Sequence, residues 1–186
     1  FRSSIEFGTE WRFFHHRFGI DFTWYQTNTK NQLLRMDNPT GSTYKYRYVN
    51  AGKIRNQGFE LTVDATPLLY RNFSWKSLIN MSANKNKVVT LHPDYPEFSY
   101  YEEGFNAGYQ MRVKEGGSLG DIYGNAFRRN EDGSIMVDET SKRPLGNTGN
   151  KDLLGNANPD FTMGWSNTLT YKNLELYFLI DFRFGG

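Results

Sequence analysis

The stretch from Phe161 to Gly186 reads FTMGWSNTLTYKNLELYFLIDFRFGG, and its second half sets the class of the protein. From Leu174 onward every second residue is apolar: Leu174, Leu176, Phe178, Ile180, Phe182 and Phe184. Between them stand Glu175, Tyr177, Leu179, Asp181 and Arg183. A period of two belongs to a β-strand, whose successive side chains point to opposite faces. One face of this strand prefers an apolar neighbour and the other accepts charge. The tight turn Tyr171-Lys172-Asn173 joins it to a strand expected over residues 159–170.

The same alternation recurs towards the N-terminus. Residues 2–13 place Ile5, Phe7, Trp11 and Phe13 on one face, and a short connection over 14–18 follows. A second strand begins at Gly19 and has room to run to Leu34; Ile20, Phe22 and Trp24 oppose Asp21, Thr23 and Tyr25. A polar segment over 35–49 carries the turn signal Asn38-Pro39-Thr40-Gly41. A third strand over 50–65 sets Phe59, Leu61, Val63 and Ala65 against Glu60, Thr62 and Asp64, and Pro67 is expected to end it. A fourth over 73–88 sets Phe73, Trp75, Ile79, Met81 and Ala83 against Ser74, Lys76, Asn80, Ser82 and Asn84. Residues 89–158 break the rhythm with Gly, Pro, Asn and Asp clusters, leaving short β-like pieces at 109–113 and 135–137. No helix emerges.

The connections run short, long, short, very long, short, and the short ones share one end of the sheet. Outer-membrane barrels have tight periplasmic turns and longer extracellular loops. Aromatic residues gather near the short turns (Trp11, Phe13, Phe14 and Phe18; Tyr70, Phe73 and Trp75; Tyr171), as they do where a barrel meets the membrane surface. A soluble β-sandwich shows the same alternation, so a soluble carbohydrate-binding sandwich module stands as the alternative. Six strands cannot close a membrane barrel, and an open edge in lipid leaves backbone groups unpaired. The fold class read here is all-β: an antiparallel transmembrane β-barrel segment of about six strands within a larger wall, with long extracellular loops.

Composition agrees. The chain has 186 residues, 17% of them aromatic, with 38% hydrophobic residues and a mean hydropathy of −0.69. No run approaches the roughly 20 apolar residues of a membrane helix. The net charge of +2, without a basic run, gives no case for nucleic acid. Cysteine is absent, which removes disulfides and thiolate chemistry. The chain begins at Phe1 without a signal peptide and stops in mid-pattern, so it reads as an excerpt of a longer one.

No catalytic constellation is present, and an enzyme is not expected. His15-His16 are sequence neighbours without a second cluster, and neighbours rarely ligate one metal ion. Ser82 and Lys85 fit an S-x-x-K pattern, but three residues along a strand puts them on opposite faces. Glu102-Glu103 lack a shared cleft. No metal and no cofactor is expected. The long segment concentrates Tyr95, Phe98, Tyr100, Tyr101, Phe105 and Tyr109 among Asp94, Glu97, Glu102 and Glu103. Such rings either pack the loop's own small core or contact a partner or ligand. Tyr95, Phe98, Tyr100, Tyr101 and Tyr109 are the candidates for contact. Asn80, Ser82 and Asn84, with Glu175, Asp181 and Arg183, are expected to face the barrel lumen.

Four segments carry a family resemblance. They are the run from Asn50 to Glu60 (NAGKIRNQGFE); Phe73-Ser74-Trp75 followed by Asn84 to Val88; Val113-Lys114-Glu115-Gly116 with Gly120 and Tyr123-Gly124; and the run from Leu154 to Phe161 (LGNANPDF) with Tyr171-Lys172-Asn173 and the closing Phe184-Gly185-Gly186. In order and spacing they resemble the SusC/RagA family of TonB-dependent outer-membrane transporters of Bacteroidetes. The resemblance implies a 22-stranded barrel in the outer membrane, surrounded by its lipid, with a plug and a TonB-contacting segment that this chain does not carry. It implies a SusD-like surface lipoprotein as partner and import of oligosaccharides or peptides driven by the TonB complex. Residues 1–186 would then be a late part of a single barrel domain, just before its C-terminal strands, with 89–158 as a long extracellular loop region.

Overall fold

The longer segments in which apolar and polar residues alternate are strands, while the β-like piece at 135–137 makes only isolated bridges, Ile135 with Arg129 and Val137 with Pro144. A computed structural model describes every residue except 32, 39, 40, 45, 51, 94, 95, 104–108 and 148–150, and describes the backbone alone at 34, 36, 37, 49, 50 and 100–103. β1 (Arg2–Phe13) and β2 (Phe18–Lys30) pair antiparallel without a break, from Arg2 opposite Thr29 to Phe13 opposite Phe18. β3 (Leu33–Asp37) and β4 (Tyr46–Asn50) form a hairpin. The long strands β5 (Lys53–Tyr70) and β6 (Phe73–Thr90) follow. Next come β7 (Glu97–Glu103), β8 (Tyr109–Lys114), β9 (Asp121–Gly124) and β10 (Asp152–Asn156), then β11 (Phe161–Tyr171) and β12 (Leu174–Phe184).

Six of these strands make one sheet in the order β1-β2-β5-β6-β11-β12, with β1 and β12 as its edges. The sheet is open, as six strands require. Four others form a separate sheet in the order β10-β9-β8-β7. The chain divides into two compact units. The first is Phe1–Lys30, Ile54–Asn86 and Asn158–Gly186; the second is Asn31–Lys53 and Lys87–Ala157.

Two expectations about elements need correction. The segment 35–49 is not simply a loop, because β3 and β4 pair within and around it, from Leu33 opposite Asn50 to Asp37 opposite Tyr46. Pro67 does not stop its strand either: β5 continues through it to Tyr70. Proline removes an N–H donor but keeps its carbonyl acceptor. At this point the strand exchanges hydrogen bonds with the neighbouring turn. Thr66 N–H donates to the Arg17 carbonyl at 2.7 Å. The Arg17 guanidinium donates to the carbonyls of Thr66, at 3.1 and 3.3 Å, and Pro67, at 3.3 Å.

The second unit has a core of its own. Val88, Leu91, Phe98 and Val113 are buried together, with Leu119 packed against them. Several polar groups of this unit are paired. Glu115 accepts from Leu91 N–H at 2.7 Å, Asp121 accepts from Ser118 N–H and from Asn156 Nδ2, each at 2.8 Å, and Gln110 accepts from Lys151 Nζ at 3.1 Å. Gly52 sits at φ +58, and a Cβ there would overlap the Thr90 carbonyl, so no other residue fits.

Candidate functional site

The six-stranded sheet has two unlike faces. On its polar face the Arg12 guanidinium lies 3.0 Å from Asp21, 2.9 Å from Glu10 and 3.7 Å from Asp64. Across β5, β6 and β11 run bonds between small polar groups. Thr62 Oγ1 donates to Asn80 Oδ1 at 2.9 Å, Asn86 Nδ2 donates to Asn56 Oδ1 at 2.8 Å, and the Ser82 and Thr162 hydroxyls are 3.0 Å apart. The Tyr25 hydroxyl, on β2, donates to Asn84 Oδ1, on β6, at 3.3 Å. It reaches across the intervening β5 at Gly58, where a Cβ would stand 2.7 Å from the Tyr25 oxygen and overlap the Ala83 carbonyl.

The residues expected to face a lumen fall on this polar face. Gly164 pairs with both Asn80 and Asp181, and Thr162 with both Ser82 and Arg183. Asn80, Ser82, Asp181 and Arg183 therefore meet on a groove of about 760 Å³, joined by Glu60 and Thr62. Asn84 stands apart with Tyr25, and Glu175 sits opposite Thr170 towards the short-turn end. The groove offers carboxylates, hydroxyls, an amide and a guanidinium, groups that donate and accept hydrogen bonds.

The other face is apolar and open. Ile5, Phe7, Leu176 and Ile180 are 40–64% exposed. Within it lies a polar device that the alternation concealed. Trp75 Nε1 donates to Asn167 Oδ1 and Trp165 Nε1 to Ser77 Oγ, each at 2.8 Å. With their N–H groups paired, both indoles can lie in an apolar medium. Asn167 occupies an apolar position of the pattern and is 1% exposed. The sequence signal was an Asn in the apolar register two residues from a Trp. Tyr25 and Gly58 were also missed, since nothing local marks a side chain that crosses a neighbouring strand.

The short turns carry exposed rings: Phe14, Tyr70 and Tyr171 are 53–76% exposed. Lys172 Nζ lies 5.5 Å from the centre of the Tyr171 ring. His15 and His16 belong to the first turn, where Phe14, His15 and His16 all adopt left-handed φ values of 53 to 62°.

In the second unit, Phe98 is buried in the local core and Tyr109 is 40% exposed. The backbones of Tyr100 and Tyr101 lie on β7, with Tyr101 opposite Met111. Tyr95 lies outside the described residues. Within residues 126–147, Arg128, Leu145 and Met136 bond one another's backbones in a ring, at 2.8 to 2.9 Å. Asp132 is held below the ordinary carboxylate range by the Ser134 hydroxyl and backbone N–H, and Asp138 by the Ser141 N–H.

The profile of the family described as TonB dependent receptor-like, beta-barrel matches residues 3–181. Among curated relatives, TonB-dependent receptor P3 of Formosa agariphila is 26% identical over 98% of this chain and 20% of its own length. TonB-dependent receptor SusC of Bacteroides thetaiotaomicron is 23% identical over 92% of this chain and 18% of its own. The chain thus spans about a fifth of the length of the relatives it matches. Among solved structures, one of the RagAB peptide transporter covers 97% of this chain and 20% of its own, with a TM-score of 0.75 at 16% identity, a likeness of fold. The profile spans nearly all of an open sheet whose faces differ as a barrel wall's do, and the chain belongs to the TonB-dependent receptor-like β-barrel family.

Proposed function

We propose that this chain is part of the wall of an outer-membrane importer of oligosaccharides. The importer works with a SusD-like surface lipoprotein and draws its energy from the TonB complex through a plug region outside this chain. One observation carries the reading: a single sheet with short turns at one end, long insertions leaving from the other, an exposed apolar face and a hydrogen-bonded polar face. In that reading lipid covers the apolar face. Asn80, Ser82, Asn84, Glu175, Asp181 and Arg183 face the lumen. The long insertions are extracellular, and Tyr95, Tyr100, Tyr101 and Tyr109 are the residues we assign to contact with lipoprotein or cargo. Phe98 is better assigned to packing, because it is buried in the local core.

Peptide cargo is the second reading, favoured by the likeness of fold to the RagAB peptide transporter. Mass spectrometry of small molecules that co-purify with the intact transporter separates the two. Oligosaccharides are expected. Peptides would establish the second reading, and uptake that persists without TonB would sink both.

A further inference from the structure

The apolar face of the first unit does not stay apolar along its whole length. On β2 that face runs Ile20, Phe22, Trp24 and then changes to Gln26, Asn28, Lys30. On β5 the same change reads in the opposite chain direction, with Arg55 and Gln57 before Phe59 and Leu61. On β6, Ile79, Met81 and Ala83 give way to Lys85.

Contacts confirm that these residues share a face. The Phe22 and Phe59 rings stack with centres 6.2 Å apart, and Arg55 Nε donates to Asn28 Oδ1 at 3.2 Å. Lys85 stands between Asn84 and Asn86, which bond Tyr25 and Asn56 on the polar face, so alternation sends Lys85 to the opposite one. Three adjacent strands thus bring Lys30, Arg55 and Lys85 to the end of the apolar face remote from the short turns. Across the sheet they lie within two strand spacings, about 10 Å, and along the strands they spread over about four residues, roughly 13 Å. No carboxylate of these strands shares that face: Asp21, Glu60 and Asp64 all lie on the polar one.

We propose that this band binds the phosphate groups of the glycolipid that forms the outer leaflet of an outer membrane, its acyl chains lying along Phe22, Trp24 and Phe59. The proposal rests on the orientation given under the proposed function, which puts this end of the strands at the outer leaflet. Charge complementarity selects the headgroup: cations and neutral amides with no carboxylate suit a phosphate monoester. Arg55 is oriented through Asn28, which leaves the rest of its planar donor set for an anion. Continuity with the apolar band selects a lipid over a soluble anion, because the ligand's apolar part then has a surface to cover.

The test uses the intact transporter, purified from its own outer membrane, with retained lipid A and phosphatidylglycerol counted by native mass spectrometry. The wild type is expected to retain lipid A in preference. Lys30 and Lys85 are exposed, so the K30Q/K85Q double variant leaves folding alone. It should retain less lipid A by on the order of 25-fold, about fivefold per cation. R55K should hold lipid A where R55Q does not. Unchanged lipid A in the double variant overturns the proposal, as does a wild type that prefers phosphatidylglycerol. A cysteine placed at Ser134 and probed on whole cells with an impermeant maleimide separates the two levels of the argument. Absence of label overturns the orientation and this site with it. Label together with unchanged lipid A overturns this site alone.

Discussion

The two units of the chain reach order by different means. The loop-built unit encloses Val88, Leu91, Phe98 and Val113 and pairs the buried groups of Gln110 and Asp121. The six-stranded sheet leaves its large apolar side chains outside, with Ile5 64% and Leu176 59% exposed. The first builds an interior of its own. The second has continuous backbone ladders but no interior, and needs something apolar against one face. A sheet of this kind is a wall, and the medium on its apolar side contributes what a core contributes elsewhere.

That difference can be broken by substitution. The largest effect is expected from Ile180→Arg, in the middle of β12 on the apolar face. A cation at the bilayer midplane costs about 2–4 kcal/mol in a barrel. The fraction of transporter that keeps its compact gel mobility without heating should fall, while the same change in a soluble sandwich face would be tolerated. Leu91→Ala should cost about 2–4 kcal/mol by opening a cavity in the loop core. Limited proteolysis of the intact transporter should then quicken within residues 87–157 and leave the strands untouched; quickened cleavage in both would mean the units are not energetically separate. Asn167→Ala should cost about 1–2 kcal/mol by stranding the Trp75 N–H, and pairing it with Trp75→Phe should recover part of the loss in urea unfolding. No recovery would show that the indole bond is not what Asn167 provides.

The smallest effect is a pH response confined to residues 126–147. Asp132 and Asp138 have lowered values when folded, so their stabilisation is present above the ordinary carboxylate range and is lost as pH falls through the lowered values. Below about pH 4, hydrogen exchange at Ser134 and Ser141, corrected for its intrinsic pH dependence, should quicken relative to that at Val113. Uniform quickening across the unit would contradict a local effect.

Much of the sheet was legible beforehand because period-two patterning reports directly on faces. The alternation of Leu174 to Phe184 places Glu175, Asp181 and Arg183 on the same side as Thr170, Gly164 and Thr162. Pro67 misled because a local rule about a missing donor does not see Arg17, a residue 50 positions away that supplies donors to its carbonyl. The 35–49 segment misled because its turn signal was read without the short strands flanking it. Tyr25, Gly58 and Asn167 were hidden for one reason: each matters through a neighbour on another strand.

By itself the sequence determined that this is a two-faced antiparallel sheet with short turns at one end and long insertions at the other. Side-chain alternation and turn chemistry are local properties of the chain. Only the tertiary structure decided which strands are neighbours, and with them every cross-strand bond. Strand order brought Tyr25 to Asn84 over Gly58, sealed two indoles with Asn167 and Ser77, and gathered Lys30, Arg55 and Lys85 at one end of one face. Those contacts join residues up to 92 positions apart, and no period along the chain encodes a meeting between strands.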